Sequence, residues 1–341
     1  MAAAISSMIA VIRTKVIHGP QRGIKEDRRV LDDLDKGQSQ ESKLVCYYSN
    51  WAVYRPGLAK FTPENINPYL CTHIIYAFAS LSEEFQIQPF DPYNDMEQGN
   101  YRSFVSLKAY NPNLKTMIAV GGWNEGSKRF SRLVESADNR RTFILSVMAF
   151  LREYGFDGVD LDWEYPAFRE GGNHTTDKKG YALLVKELRQ AIDDERFPPE
   201  KERLLLSVAV PATKEYIDQG FDVPEISRNA HFLNLLTYDY HSAYEPETHH
   251  HAPLYPPEGL NPLDQRNQLN VIGSYGNKLV DKFSMSAASS SFYVVYNYPI
   301  LLTISKGISW EYKENQLNPQ ILFLRKSISS FKSKHSNLDL S

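Results

Sequence analysis

The sequence predicts an α/β protein of the (β/α)8 barrel type with an incomplete ring of strands, and three observations lead there. Short apolar runs rich in β-branched and aromatic residues recur at roughly 30- to 50-residue intervals. Helical patterns lie between them, as parallel βαβ units require. Carboxylates collect in one of the runs, Phe156-Asp-Gly-Val-Asp-Leu-Asp-Trp-Glu-Tyr-Pro166, and barrel enzymes gather their chemistry at strand ends.

The elements follow in chain order. Residues 1–42 read as a flexible leader: an apolar stretch at 2–12 lacks a basic flank or a clear cleavage site, and the charged segment after it offers little to bury. Six strands are expected near Leu44–Tyr48, Thr72–Ala79, Thr116–Gly121, Phe156–Glu164, Leu204–Pro211 and Phe232–Tyr240. Phe143, Val147, Phe150, Leu151 and Tyr154 keep a 3.6-residue rhythm that predicts a helix from Asn139 to Tyr154, with Gly155 as its stop. Tyr181, Leu184, Leu188 and Ile192 predict a second helix in the same way.

The acidic run carries the chemistry. In a strand, Asp160, Asp162 and Glu164 share one face at a spacing of about 6.6 Å, while Leu161 and Trp163 take the other. Crowded, buried carboxylates resist ionisation, which is what a general acid working near neutral pH needs. Glu164 is nearest the C-terminal end and best placed to meet a ligand. Asp157 enters at the start of the strand, where support by hydrogen bonding competes with a catalytic role. A metal site is the rival reading, but the loop spacing of a calcium site is absent.

The stretch Asp157-Gly-Val-Asp-Leu-Asp-Trp-Glu164 resembles the catalytic signature of glycoside hydrolase family 18, and the wider match is similar to arthropod-type chitinases. Leu44-Val-Cys-Tyr-Tyr-Ser-Asn-Trp-Ala-Val-Tyr54, Leu70-Cys-Thr-His-Ile-Ile-Tyr-Ala-Phe78, Lys115-Thr-Met-Ile-Ala-Val-Gly-Gly-Trp-Asn124 and Leu236-Thr-Tyr-Asp-Tyr-His241 carry it further. The resemblance implies a TIM-barrel enzyme that cleaves β-1,4-linked N-acetylglucosamine with retention, the substrate's own acetamide acting as nucleophile. It implies Glu164 as acid and base, Asp162 as the group holding the acetamide, Asp160 as its proton-sharing partner, and Tyr238 as the residue positioning the acetamide carbonyl. Asp239 is expected to support Tyr238.

Trp123, with Asn124 beside it and Gly121-Gly122 before it, is expected as a stacking surface for a sugar. The resemblance adds Tyr47, Phe78, Tyr93 and Tyr165 as lining positions. It also adds Gly122, Thr237 and Leu236, the last at a position where methionine is common. Cys46 and Cys71 are the two cysteines; free buried thiols and a bridge are both open from the residues, and the resemblance implies a disulfide. His241 and His249-His-His251 lack helical ligand spacing, so no metal is expected, nor any organic cofactor.

After Val271 the resemblance fades. The barrel is therefore expected over 43–271, partial, and a divergent tail of unknown structure over 272–341, the C-terminal end being divergent or truncated and the seventh and eighth strands not recognisable. Either apolar runs such as Phe292–Ile304 supply substitute strands, or unpaired edges make the product marginal and aggregation-prone. Three outcomes stay open: a chitinase, a chitin-binding protein without turnover, or a misfolding product. Glu164, which non-cleaving relatives usually lose, favours the enzyme.

A net charge of −3 and 42% hydrophobic content suit a globular protein and give no reason to expect nucleic acid or membrane insertion. The expected partner is chitin or N-acetylglucosamine oligosaccharide, met outside the cell as the resemblance implies. Asn173-His-Thr175 is a glycosylation sequon. Nothing in the residues fixes an oligomeric state.

Overall fold

The computed structural model describes residues 43–196, 201–241 and 251–252, together with the backbone of two strands at 291–296 and 300–304. The expected leader at 1–42, His249, His250, the serine-rich stretch before residue 291 and the tail beyond residue 304 lie outside the described residues.

One sheet organises the described residues. Its strands are β1 (Val45–Ser49), β2 (His73–Leu81), β3 (Ile87–Pro89), β4 (Lys115–Gly121), β5 (Gly158–Asp162), β6 (Leu205–Pro211), β7 (Phe232–Leu236), β8 (Ser291–Tyr296) and β9 (Ile300–Ile304). The ladder runs β1-β2-β4-β5-β6-β7-β8-β9, and β3 pairs with β2 alone. Every pairing from β1 to β8 along this ladder is parallel, whereas β3 and β9 return antiparallel. Residues 291–304 thus supply strands beyond β7, and β9 approaches β1 at the start of the ladder.

The six expected strands are all present, with differences at their ends. β5 stops at Asp162 and β7 at Leu236, so Glu164, Tyr238 and Asp239 stand on the turns that leave the strands. β3 was not expected: it is a three-residue return after a turn in which Phe85 takes φ 61°.

Six α-helices occur among the described residues: α1 (Asn100–Ser106), α2 (Lys128–Glu135), α3 (Ala137–Tyr154), α4 (Asp177–Asp194), α5 (Lys214–Gly220) and α6 (Val223–Asn229). In α3 the Ser136 hydroxyl accepts from the Asn139 N–H, a cap that stabilises by about 1 kcal/mol. Gly155 ends the same helix at φ 79°, its N–H donating to Leu151 O. Phe143, Val147 and Leu151 turn the predicted stripe inward and are fully buried.

Strand alternation creates two apolar layers. Val159 and Leu161 of β5, with Ile118, Val120, Leu206 and Val208, pack outward against the helices. Val45, Ile75, Met117, Ala119, Ala209, Phe232 and Leu236 fill the inner face. At the edge, Cys46 and Cys71 form a disulfide with a Cα–Cα separation of 6.2 Å, tying β1 to the approach of β2.

Candidate active site

The acid row lies on the inner face, where strand alternation predicts it. Asp160 is completely buried and held by three donors: Ser207 Oγ at 2.6 Å, Tyr47 OH at 2.6 Å and Asn234 Nδ2 at 3.0 Å. Asn234 also donates to the Tyr47 oxygen at 2.8 Å. Ser207 is the register partner of Asp160, one strand away. Burial raises the Asp160 pKa, and these hydrogen bonds hold it back.

Asp162 is different. It is buried, its carboxylate makes no hydrogen bond among the described residues, and its pKa is raised well above the usual range by burial, then by the charges of Glu164 and Asp160. The backbone beside it is crowded: Gly122 N–H donates to Asp162 O at 2.8 Å, and a Cβ on Gly121, where φ is 119°, would lie 2.1 Å from that oxygen. Only glycine fits there. A Cβ on Gly122 would meet the Phe78 ring at 2.7 Å.

Glu164, partly exposed at the strand's C-terminal end, has its pKa raised by burial. The Tyr165 hydroxyl and the Arg169 charge pull it down, and Asp239 pushes it up. Trp163, behind the row, stacks on Phe130 with centroids 5.2 Å apart and donates to Ser127 Oγ at 3.0 Å. Ser127 in turn donates to Tyr165 O at 3.1 Å, which fixes the turn after Glu164.

Tyr238 packs on the inner layer with Tyr47, Phe78 and Tyr165. Burial, then the charges of Asp162 and Glu164, raise its pKa well above the ordinary tyrosine value, so it stays a hydroxyl. The His251 ring lies parallel to it with centroids 6.2 Å apart, and that same histidine binds the Asp239 carboxylate. Leu236 and Thr237 are buried beneath. Trp123 is exposed, as is Asn124 after it.

Two expected residues stand apart. Asp157 sits at the opposite end of β5 from Glu164, where its carboxylate accepts from Lys108 Nζ at 2.8 Å and from Thr116 N at 2.7 Å; this is a structural tie. Tyr93 is exposed on a short helical turn at Tyr93–Glu97 and shares no hydrogen bond or ring contact with the acid row. Its neighbour Asp95 is the buried member, bound by Tyr76 OH at 2.6 Å.

Several residues went unread in the sequence. Arg169 places its guanidinium 4.0 Å above the Trp123 ring and donates to Trp123 O and Glu164 O, joining the ends of β4 and β5. Trp51 stacks on Phe78 at 6.1 Å and Tyr216 on Tyr165 at 4.7 Å. Ser207 and Asn234 had left a signal, as lone polar residues at the inward phase of otherwise apolar strands. Arg169 left none, because it lies on a loop.

A family model described as glycosyl hydrolases family 18 matches residues 43–299. Chitotriosidase-1 of Mus musculus is 43% identical over 218 residues, 64% of this chain and 46% of that protein. The Ostrinia furnacalis group IV chitinase, solved in complex with allosamidin, matches with a TM-score of 0.65 at 36% identity, covering 81% of this chain and 74% of that one. Human YKL-39, described as a pseudo-chitinase with retained chitooligosaccharide binding, matches with a TM-score of 0.63 at 32% identity, covering 78% and 72%. The chain spans about half the length of the curated relatives it matches.

Proposed function

Because the chain belongs to glycosyl hydrolase family 18, we propose that it is a chitinase, hydrolysing β-1,4 linkages between N-acetylglucosamine units with retention. The single observation that carries the reading is the inward row of Asp160, Asp162 and Glu164, each with a raised pKa and graded from full burial to partial exposure. A raised pKa keeps Glu164 protonated where a free glutamic acid would already be ionised, so it can donate to the glycosidic oxygen.

As the bond to the leaving sugar breaks, the acetamide oxygen attacks the anomeric carbon and closes an oxazolinium ring. Asp162 accepts the acetamide N–H and stabilises the positive charge; its carboxylate, with no other hydrogen-bond partner among the described residues, is open to that role. Asp160, saturated by Ser207, Tyr47 and Asn234, is the fixed end of the row. The Tyr238 hydroxyl donates to the acetamide carbonyl. Glu164, now ionised, takes a proton from a water molecule whose oxygen bonds to the anomeric carbon; the ring's C1–O bond breaks and the acetamide is restored. The three acids titrate as a set.

Trp123 offers a ring face to a sugar, with Trp51 and Phe78 as a further aromatic wall. The scheme calls on no metal or organic cofactor. Chitin or its oligosaccharides are the partner, and the disulfide agrees with an extracellular place of action. No helix among the described residues is long and apolar enough to cross a membrane.

The likeness to YKL-39 favours one second reading, in which the site around the acid row binds chitooligosaccharide without cleaving it. Product analysis separates the two. Proton NMR of a chitin oligomer mixed with the protein is expected to show the β-anomer of the new reducing end first, and an oligomer without N-acetyl groups is expected to stay intact. An α-anomer first, or cleavage of the deacetylated oligomer, contradicts the acetamide mechanism; an intact acetylated oligomer that nevertheless binds supports the second reading.

A further inference from the structure

We infer that Asn173 is an acceptor for an N-linked oligosaccharide, carried on the loop between β5 and α4. Asn173-His174-Thr175 is the single Asn-x-Ser/Thr stretch without proline in the 341 residues. Asn173, His174 and Thr175 are all exposed, so a sugar there displaces no packed side chain.

The local geometry presents the right atom. Asn173 Oδ1 accepts from the Thr175 N–H at 2.9 Å, an Asx turn. That bond uses the oxygen and leaves Nδ2 with no hydrogen bond among the described residues. Glycosylation of Nδ2 therefore keeps the turn intact. Nor does the loop depend on the Asn173 side chain: the buried Asp177 carboxylate holds it by accepting from Asn173 N at 2.7 Å, Ala167 N at 3.0 Å and Ser131 Oγ at 2.6 Å.

A second, independent observation is the Cys46–Cys71 disulfide. Disulfides persist in oxidising compartments, and transfer of N-linked sugars to secreted chains takes place in one of them. In that transfer a bond forms between Asn173 Nδ2 and C1 of the first sugar of a lipid-pyrophosphate-linked oligosaccharide. The C1–phosphate bond breaks, the lipid pyrophosphate leaves with the electron pair, and the amide gives up one proton.

The test uses the full chain, expressed in insect cells behind a cleavable secretion signal and recovered from both the medium and the microsomal fraction. Treatment with a peptide amidase in 18O-labelled water is expected to convert Asn173 to labelled Asp in the mapped peptide and to sharpen the gel band by one glycan. Thr175→Ala is expected to abolish the shift, although its backbone N–H still closes the Asx turn; Thr175→Ser is expected to retain it. An Asn173 peptide found only unmodified, in chain whose Cys46 and Cys71 are recovered bridged, overturns the inference whether or not the acid row turns over substrate.

Discussion

Asp162 is the residue where function and stability oppose each other most directly. Its ionised form is disfavoured in the fold by burial and by Glu164 and Asp160, whereas the unfolded chain ionises it freely near pH 4. The folded chain thus binds the proton more tightly than the unfolded one, and stability falls as pH rises from the ordinary carboxylate range through the raised folded value. Asp162→Asn removes that loss. The variant is expected to melt higher than the parent at pH 7 and at nearly the same temperature at pH 3.5, while losing turnover; thermal melts at the two pH values check it. Equal melting at both would contradict a strained carboxylate. The direction at Glu164 carries a second expectation: the alkaline limb of the rate profile lies above the ordinary glutamic acid value, because the acid form is lost only as pH rises through the raised pKa. Asp160 and Asp162 were legible in the sequence because a strand's period of two places them together, and Glu164 follows on the turn just beyond the strand's end. Arg169 was not, since loop residues obey no such period.

At the scale of elements, helices α3 and α4 were legible from their apolar rhythm and, in α3, from its glycine stop. The strand ends were not. Apolar character continues past Asp162 and Leu236, but the ladder hydrogen bonds stop there, and the turns beyond are set by contacts such as Ser127 with Tyr165 O. The β3 return escaped notice because Ile87–Pro89 is too short to show alternation. The disulfide, implied by resemblance alone, closes a loop of 25 residues between Cys46 and Cys71. Loop-closure entropy for that length corresponds to about 3.5 kcal/mol. The Cys46→Ala/Cys71→Ala pair is expected to lower unfolding free energy by that order in a urea titration, with the acid row intact by oligosaccharide binding. An unchanged midpoint would mean that the bridge constrains little.

For the whole molecule, the pattern up to β7 was readable as a succession of strand and helix, while the closing segment was not. The reason is physical: Ser291–Tyr296 and Ile300–Ile304 are short apolar runs joined antiparallel, so no βαβ rhythm in the sequence announces the end. Removing residues 291–341 would strip the partner from β7, whose ladder with β8 runs from Phe232↔Ser291 to Leu236↔Val295. The shortened chain is expected to lose its near-UV circular dichroism and cooperative melt and to aggregate through the exposed edge. A cooperative melt in that chain would show that closure is dispensable. The central claim is that this molecule, as it folds, places Glu164 as a working general acid. The most direct measurement is the initial rate of hydrolysis of a fluorogenic N-acetylglucosamine oligomer by the full chain beside its Glu164→Gln variant, with near-UV circular dichroism of both. The account predicts turnover in the parent, a loss of about 10³-fold or more in an equally folded variant, and retained oligosaccharide binding; equal rates in the two, or no turnover from a folded parent, would contradict it.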